Sequence, residues 1–262
     1  MAGALSQSGF LDLGDQRLEY RFVGPQPSEK PTLVLLHEGL GCAGLWGDFP
    51  DKLTERTGYG VFAYSRAGYG QSSTIDLPRP LTYMHSEAQQ VLPRVLDAIG
   101  FQHGVLVGHS DGASIAAIHA GSVSDERVKG IVLIAPHFFT EENGLIEIAR
   151  AKSAYETGNL REKLARWHRH VDIAFLGWNG AWLDPEFRHW NLEEFLPNIC
   201  CPVLVIQGVD DQYGSEAQVR AVAEKCHVPV EIAMLPGVQH APHREVAEGT
   251  VAKIADFVAR LS

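Results

Sequence analysis

The 262-residue chain carries 22 basic against 32 acidic residues, a formal net charge of −10, and is 45% hydrophobic and 21% charged. This is the composition of a globular protein long enough to bury a substantial core. The acidic balance argues against nucleic acid and anionic membranes as partners, and no apolar run reaches the roughly 18 residues of a membrane span. The first fifteen residues, MAGALSQSGFLDLGD, have neither a basic start nor an apolar signal core, so a cytoplasmic location is expected. The four cysteines, Cys42, Cys200, Cys201 and Cys226, lack C-x-x-C spacing. They are expected to be reduced packing residues rather than a disulfide framework or a zinc site.

In chain order, residues 10–13 and 17–23 suggest a hairpin around Gly14-Asp15. Short apolar runs follow at 32–37, 61–64, 104–108, 130–134, 203–207 and 231–235. Helical patterns fill 46–57, 83–99, 111–123, 215–226 and 245–261. The strands lack clear alternation, as expected when both faces of a parallel sheet are covered. Strand and helix in alternation predict a doubly wound, mostly parallel α/β sheet. Residues 137–198 break the rhythm, with helical patterns, no convincing strand, and four of the five tryptophans, Trp167, Trp178, Trp182 and Trp190. The division expected is a core of residues 1–136 and 199–262 with a helical cap at 137–198. The alternative is a helical layer with its own aromatic core.

Two stretches carry candidate chemistry. The first is His37-Glu38-Gly39-Leu40-Gly41-Cys42-Ala43-Gly44, whose glycines have the G-x-G-x-x-G spacing of a pyrophosphate cradle. Ser65-Arg66 follows the next strand, where a 2′-phosphate could be held. The second is Gly108-His109-Ser110-Asp111-Gly112, a G-x-S-x-G at a predicted strand-to-helix junction. A serine there sits on a tight turn at the positive end of a helix dipole, with glycines relieving the crowding. A serine hydroxyl needs a base, and the base an orienting carboxylate. Later strand ends offer Gly208-Val209-Asp210-Asp211 for the acid and Pro236-Gly237-Val238-Gln239-His240 for the base. The order serine, acid, histidine is that of an α/β-hydrolase triad.

On these residues the chain resembles the α/β-hydrolase superfamily, of the small-molecule esterase and meta-cleavage-product hydrolase kind. Ser65-Arg66-Ala67-Gly68-Tyr69-Gly70-Gln71-Ser72 is similar to the family's G-x-G-x-S loop. The resemblance implies Ser110 as nucleophile, Asp211 rather than Asp210 as the acid, and His240 as the base. It implies an oxyanion hole from the backbone N–H groups of Gly39 and Asp111. Epoxide hydrolases and haloalkane dehalogenases are disfavoured, since those relatives place Asp where Ser110 stands.

The glycine turn then serves a carbonyl oxygen rather than a phosphate, and Glu38 beside it would repel a pyrophosphate. Glu38 stands where the family usually has glycine. It is expected to pair with Arg66, with a place in the substrate pocket as the alternative. The Asp111 carboxylate should point away from the oxyanion. His137, Trp178 and Trp182 are candidate pocket walls, His109 is expected to pack facing away from Ser110, and Trp167-His168-Arg169-His170 to form cap surface. The expected activity is hydrolysis of a small ester or related acyl compound, with a small-molecule substrate and neither cofactor nor metal. The alternatives are a C–C bond hydrolase with the same triad and a non-catalytic ligand-binding protein on the same scaffold.

Overall fold

The computed structural model describes residues 4–261; residues 1–3 and 262, the ends of the expected core segments, lie outside the described residues. Eight strands form one sheet: β1 (Ser8–Asp12), β2 (Arg17–Val23), β3 (Thr32–Leu36), β4 (Gly60–Tyr64), β5 (Gly104–His109), β6 (Val128–Ile134), β7 (Val203–Gly208) and β8 (Val230–Leu235). Their spatial order is β1-β2-β4-β3-β5-β6-β7-β8. β1 pairs antiparallel with β2 and β2 with β4, and every later pairing is parallel. Every residue of β3, β4, β5 and β7 is buried, as a sheet covered on both faces requires. The alternation is hidden in which core each residue joins. Leu33, Leu35, Val61 and Ala63 enter one cluster, while Val34, Leu36, Phe62 and Tyr64 enter the other.

The first cluster is closed by α1 (Phe49–Thr57) and by α10 (Ala247–Val258), which follows the short α9 (Pro242–Glu245). The other face is covered by α2 (Tyr83–Ser86) and α3 (Leu92–Ala98), α4 (Asp111–Ser122) and α8 (Glu216–Lys225). The pattern at 83–99 is not one α-helix: a π turn at Glu87–Val91 separates α2 from α3, whose second residue is Pro93. Proline lacks the N–H that would bond back one turn, and the ladder readjusts there. Between β6 and β7 lie α5 (Glu142–Thr157), α6 (Leu160–Ala165), α7 (Val171–Trp182) and two 3₁₀ turns. Among the described residues this segment has no named strand, only an isolated bridge between Phe139 and Asn191.

The register places the carboxyl ends of the central strands side by side: Leu36 lies opposite Tyr64 and Gly108, and His109 opposite Ile134. The turns that follow β3, β5, β6, β7 and β8 therefore gather along one edge, where open α/β sheets bind ligands. α4 can start there because glycine allows its first turn to touch the sheet. A Cβ on Gly112 would lie 1.9 Å from the Leu36 carbonyl oxygen, and one on Gly108 would lie 2.2 Å from the Gly112 oxygen. Both neighbours are backbone and cannot rotate away. Gly112→Ala should therefore lower stability by roughly 1–3 kcal/mol or more, read as a drop in Tm with reduced soluble yield. A Tm unchanged from the parent chain would contradict this packing.

Candidate active site

The turn after β5 holds Ser110 at φ +52°, ψ −119°, a backbone conformation that L-residues rarely adopt. The surrounding hydrogen bonds fix it. The Ser110 N–H donates to the Ile134 carbonyl (2.9 Å), and its own carbonyl accepts from the N–H groups of Ala113 (2.8 Å) and Ser114 (3.1 Å). Asp111 opens α4, where N–H groups have no carbonyl one turn back to bond.

β7 and β8 deliver the acid and the histidine to the same edge. Gly208 lets the two turns touch, since a Cβ there would meet the Val238 and Gln239 carbonyl oxygens at 2.2 Å. His240 Nδ1 lies 2.8 Å and 2.9 Å from the two carboxylate oxygens of Asp211. Asp211 also accepts from Gln207 Nε2 (2.7 Å) and from the backbone N–H groups of Tyr213 (2.8 Å) and Gly214 (3.3 Å). Burial pushes the Asp211 carboxyl up, but the His240 hydrogen bond and charge and the Tyr213 N–H outweigh it and hold it at about 2. With Nδ1 donating to Asp211, Nε2 is the acceptor nitrogen of the neutral ring. Asp210 is exposed.

Ser110 and His240 line one cavity of about 130 Å³. No hydrogen bond joins them among the described residues, and such bonds are often long in unliganded sites. Gly39, Asp111, Glu38, His137, Trp178 and Trp182 line the same cavity; of the residues predicted for the site only Asp211 does not, and it reaches the cavity through His240. His137 is buried beside Trp182 and His240, each 5.5 Å away between ring centroids. Burial, reinforced by the His240 charge, pushes His137 down to about 3 and keeps it neutral. A larger groove of about 630 Å³ lies where β6 and β7 begin and includes none of these residues.

The turn after β3 is held from beneath by Arg66, whose guanidinium donates to the carbonyls of His37 (2.5 Å) and Glu38 (3.1 Å). The buried His37 accepts the Arg66 N–H on Nε2 (3.1 Å) and turns Nδ1 to the Glu38 carbonyl (2.7 Å). The expected Glu38–Arg66 ion pair is thus corrected: Arg66 binds the backbone, while the Glu38 carboxylate lies 3.0 Å from Arg244 Nη2 and 3.5 Å from His109 Nδ1. The Asp111 carboxylate turns away from the turn to accept from the Tyr83 hydroxyl (2.5 Å), which in turn accepts from Trp182 Nε1 (3.2 Å). Burial raises the Asp111 carboxyl against the opposing charge of Arg66 and the Tyr83 hydrogen bond.

His168 is a second correction. It is buried rather than on the cap surface, accepting the Gly70 N–H on Nδ1 (3.0 Å) and reaching the Leu40 carbonyl with Nε2 (3.1 Å). The three spaced glycines each lie beneath a side chain: Gly39 under Trp178, Gly41 under Glu38 and Gly44 under Trp167. Cys42 is buried, whereas Cys200 is exposed. The cavity also uses Leu40, Glu141, Gly144, Ile148 and Tyr213, which the sequence reading missed. Glu141, Gly144 and Ile148 share one side of α5 and its start, a spacing legible only once that helix is known to cross the site. Among the described residues no group of three or more His, Cys, Asp or Glu is arranged to hold a metal.

A family model described as the alpha/beta hydrolase family matches residues 33–253. The chain belongs to the alpha/beta hydrolase family. This hydrolase is 25% identical over 240 residues to a proline iminopeptidase of Lactobacillus delbrueckii subsp. bulgaricus, covering 77% of the chain and 81% of the relative. Among solved structures it resembles a bacterial membrane phospholipase A (TM-score 0.79, 22% identity, 97% of this chain and 86% of that one). It also resembles the enol-lactonase from Burkholderia xenovorans LB400 (TM-score 0.72, 19% identity, 96% and 100%). At these identities the two structures establish the fold of the hydrolase alone.

The Asp211–His240 pair makes acid stability a direct readout of this geometry. A carboxyl held at about 2, below its usual value near 4, contributes stability that is complete above about pH 4 and is lost as pH falls towards 2. Asp211→Asn should therefore be less stable than the parent at pH 6, and the gap should narrow between pH 4 and pH 2. Denaturant titrations at each pH check this; a gap independent of pH would contradict the pairing.

Proposed function

We propose that this hydrolase cleaves a small carboxylic ester or related acyl compound through an acyl-enzyme on Ser110. The observation that supports the reading is a serine at positive φ on the N-terminus of α4, sharing a cavity with a histidine whose far nitrogen is held by a buried carboxylate. In this mechanism Ser110 Oγ attacks the substrate carbonyl carbon as its proton passes to His240 Nε2. Asp211 orients the ring through Nδ1–H and stabilises the imidazolium. The N–H groups of Gly39 and Asp111 take up the negative charge on the carbonyl oxygen. The tetrahedral adduct collapses, and the leaving alcohol takes the proton from His240. Water, giving its proton to His240, then attacks the acyl carbon, releasing the acid and regenerating Ser110.

Residues 137–198 act as a cap over this centre, with Trp178 and Trp182 forming its apolar wall. A cavity of about 130 Å³ suits a group about the size of a benzene ring, which an engineered apolar cavity of similar volume admits. Relatives named as a lactonase and an iminopeptidase keep lactones and amides within the same acyl class. The C–C hydrolase alternative fits less well. Glu38, Asp111 and Glu141 line the cavity and no lysine or arginine does, a field that opposes an anionic dienoate.

Ser110→Ala should reduce kcat/KM on p-nitrophenyl acetate by on the order of 10³ or more, and a fluorophosphonate should add its mass to Ser110 alone. A fully active variant would overturn the mechanism; an unlabelled parent protein would favour the ligand-binding alternative. Neutral short-chain esters should also be turned over faster than an anionic dienoate ring-fission product under the same conditions. The reverse preference would support the C–C hydrolase.

A further inference from the structure

We infer that Glu38 is a positioning residue, tying the turn after β3 to both flanks of His240 so that the base stays registered over Ser110. The inference rests on the proposed role of His240. Three elements meet at this one carboxylate. Glu38 Oε1 lies 3.0 Å from Arg244 Nη2, four residues beyond His240, and the same Arg244 nitrogen donates to the Leu45 carbonyl at 3.1 Å. Glu38 Oε2 lies 3.5 Å from His109 Nδ1, an ion-pair distance when the ring carries a hydrogen on both nitrogens. His109 in turn approaches the backbone carbonyl of His240 with Nε2, at 2.8 Å.

The chemistry of these contacts fixes their direction. A carbonyl oxygen only accepts, so His109 Nε2 carries the hydrogen and donates to His240. His109 is 3% exposed at its side chain, and its ring packs against those of His240 and His243 at centroid distances of 5.1 and 4.5 Å. His109 Nδ1 makes no hydrogen bond of its own and faces the Glu38 carboxylate. Burial opposes the Glu38 charge, but His109, Arg244 and His243 outweigh it and hold the carboxyl well below its usual range, so the side chain is an anion at neutral pH.

The turn is shaped to admit this side chain. A Cβ on Gly41 would lie 2.4 Å from Glu38 Oε2, so the carboxylate occupies space that only glycine leaves free. The arrangement does two jobs with one charge. It holds the start of the last helical segment through Arg244 and, with His109 carrying a hydrogen on both nitrogens, the backbone of His240 through His109. The turn it anchors is also the one that carries Gly39. Glu38 touches the reacting atoms through neither contact; it acts through His109 and Arg244.

The test uses Glu38→Gln, which keeps shape and removes charge, and Arg244→Ala, which trims a half-exposed side chain and cuts one flank without disturbing the core. Misplacement of a catalytic group by about 1 Å costs on the order of 100-fold. Glu38→Gln should lower kcat and the rate of fluorophosphonate labelling by roughly 10- to 100-fold, with KM for p-nitrophenyl acetate held within about twofold and an unchanged circular dichroism spectrum. Arg244→Ala should lower kcat in the same sense by less. The double variant should be no worse than Glu38→Gln alone, because both act through one bridge.

Unchanged kcat in both single variants would overturn the inference, and so would a raised KM at constant kcat, which would make Glu38 a substrate contact. If Glu38→Gln fails to fold, Arg244→Ala alone decides by the same criterion. A parent protein neither labelled at Ser110 nor active on esters would instead overturn the hydrolytic reading beneath it, and this inference with it.

Discussion

A close approach of backbone to backbone sets the geometry on which the site depends. Gly112 lies against the Leu36 carbonyl and Gly108 against Gly112, so α4 begins directly at the end of β5 with no room for an intervening loop. The chain must turn from strand to helix within one residue, and Ser110 takes the positive-φ conformation that this demands. Such a residue costs on the order of 1–3 kcal/mol. The surroundings sustain it through three backbone hydrogen bonds at Ser110 and strands buried on both faces. The strain leaves the hydroxyl at the edge of the sheet rather than folded back into the helix, as the proposed nucleophile requires.

A site that is to stabilise an oxyanion is poorly served by carboxylates, yet Glu38, Asp111 and Glu141 line the cavity and Asp211 stands just behind it. Each carboxylate is held by partners of its own. Asp211 is spent on His240, Gln207 and two backbone N–H groups. Glu38 faces Arg244 and His109. Asp111 is turned to Tyr83, within the influence of Arg66 and Arg79. Glu141 accepts from Ser215 and Gln218. Because interaction falls with distance and with an intervening opposite charge, the field left at the Gly39 and Asp111 N–H groups is weaker than the count of acids suggests.

What the sequence revealed and what it hid divide along a physical line. Strands covered on both faces, the turn around Ser110, and the acid and histidine at successive strand ends are all written in local pattern, and the structure puts them where those patterns indicate. Partners chosen across the fold are not local. Glu38 could be expected to seek a cation, but Arg66 follows the adjacent strand while Arg244 is 206 residues away in sequence, and nothing local ranks one above the other. His168 sits among exposed-looking residues, and only the approach of the Gly70 and Leu40 backbones buries it. The π turn before Pro93 belongs to a third kind, a local conflict whose resolution depends on the helix packing around it.

The glycine spacing after β3 shows how one pattern can have two physical causes. In a dinucleotide site, glycines let phosphate approach backbone; here Trp178, Glu38 and Trp167 make that approach instead. Two of these three side chains come from the segment between β6 and β7, and His168 from the same segment holds Leu40 within the turn and Gly70 in the next loop. The turn proposed to supply an oxyanion donor is therefore packed against the segment between β6 and β7 on one side and linked to the His240 loop through Glu38 on the other. The indole of Trp178, from that segment, covers Gly39. Trp178 is thus the side chain that the cavity wall and that turn share.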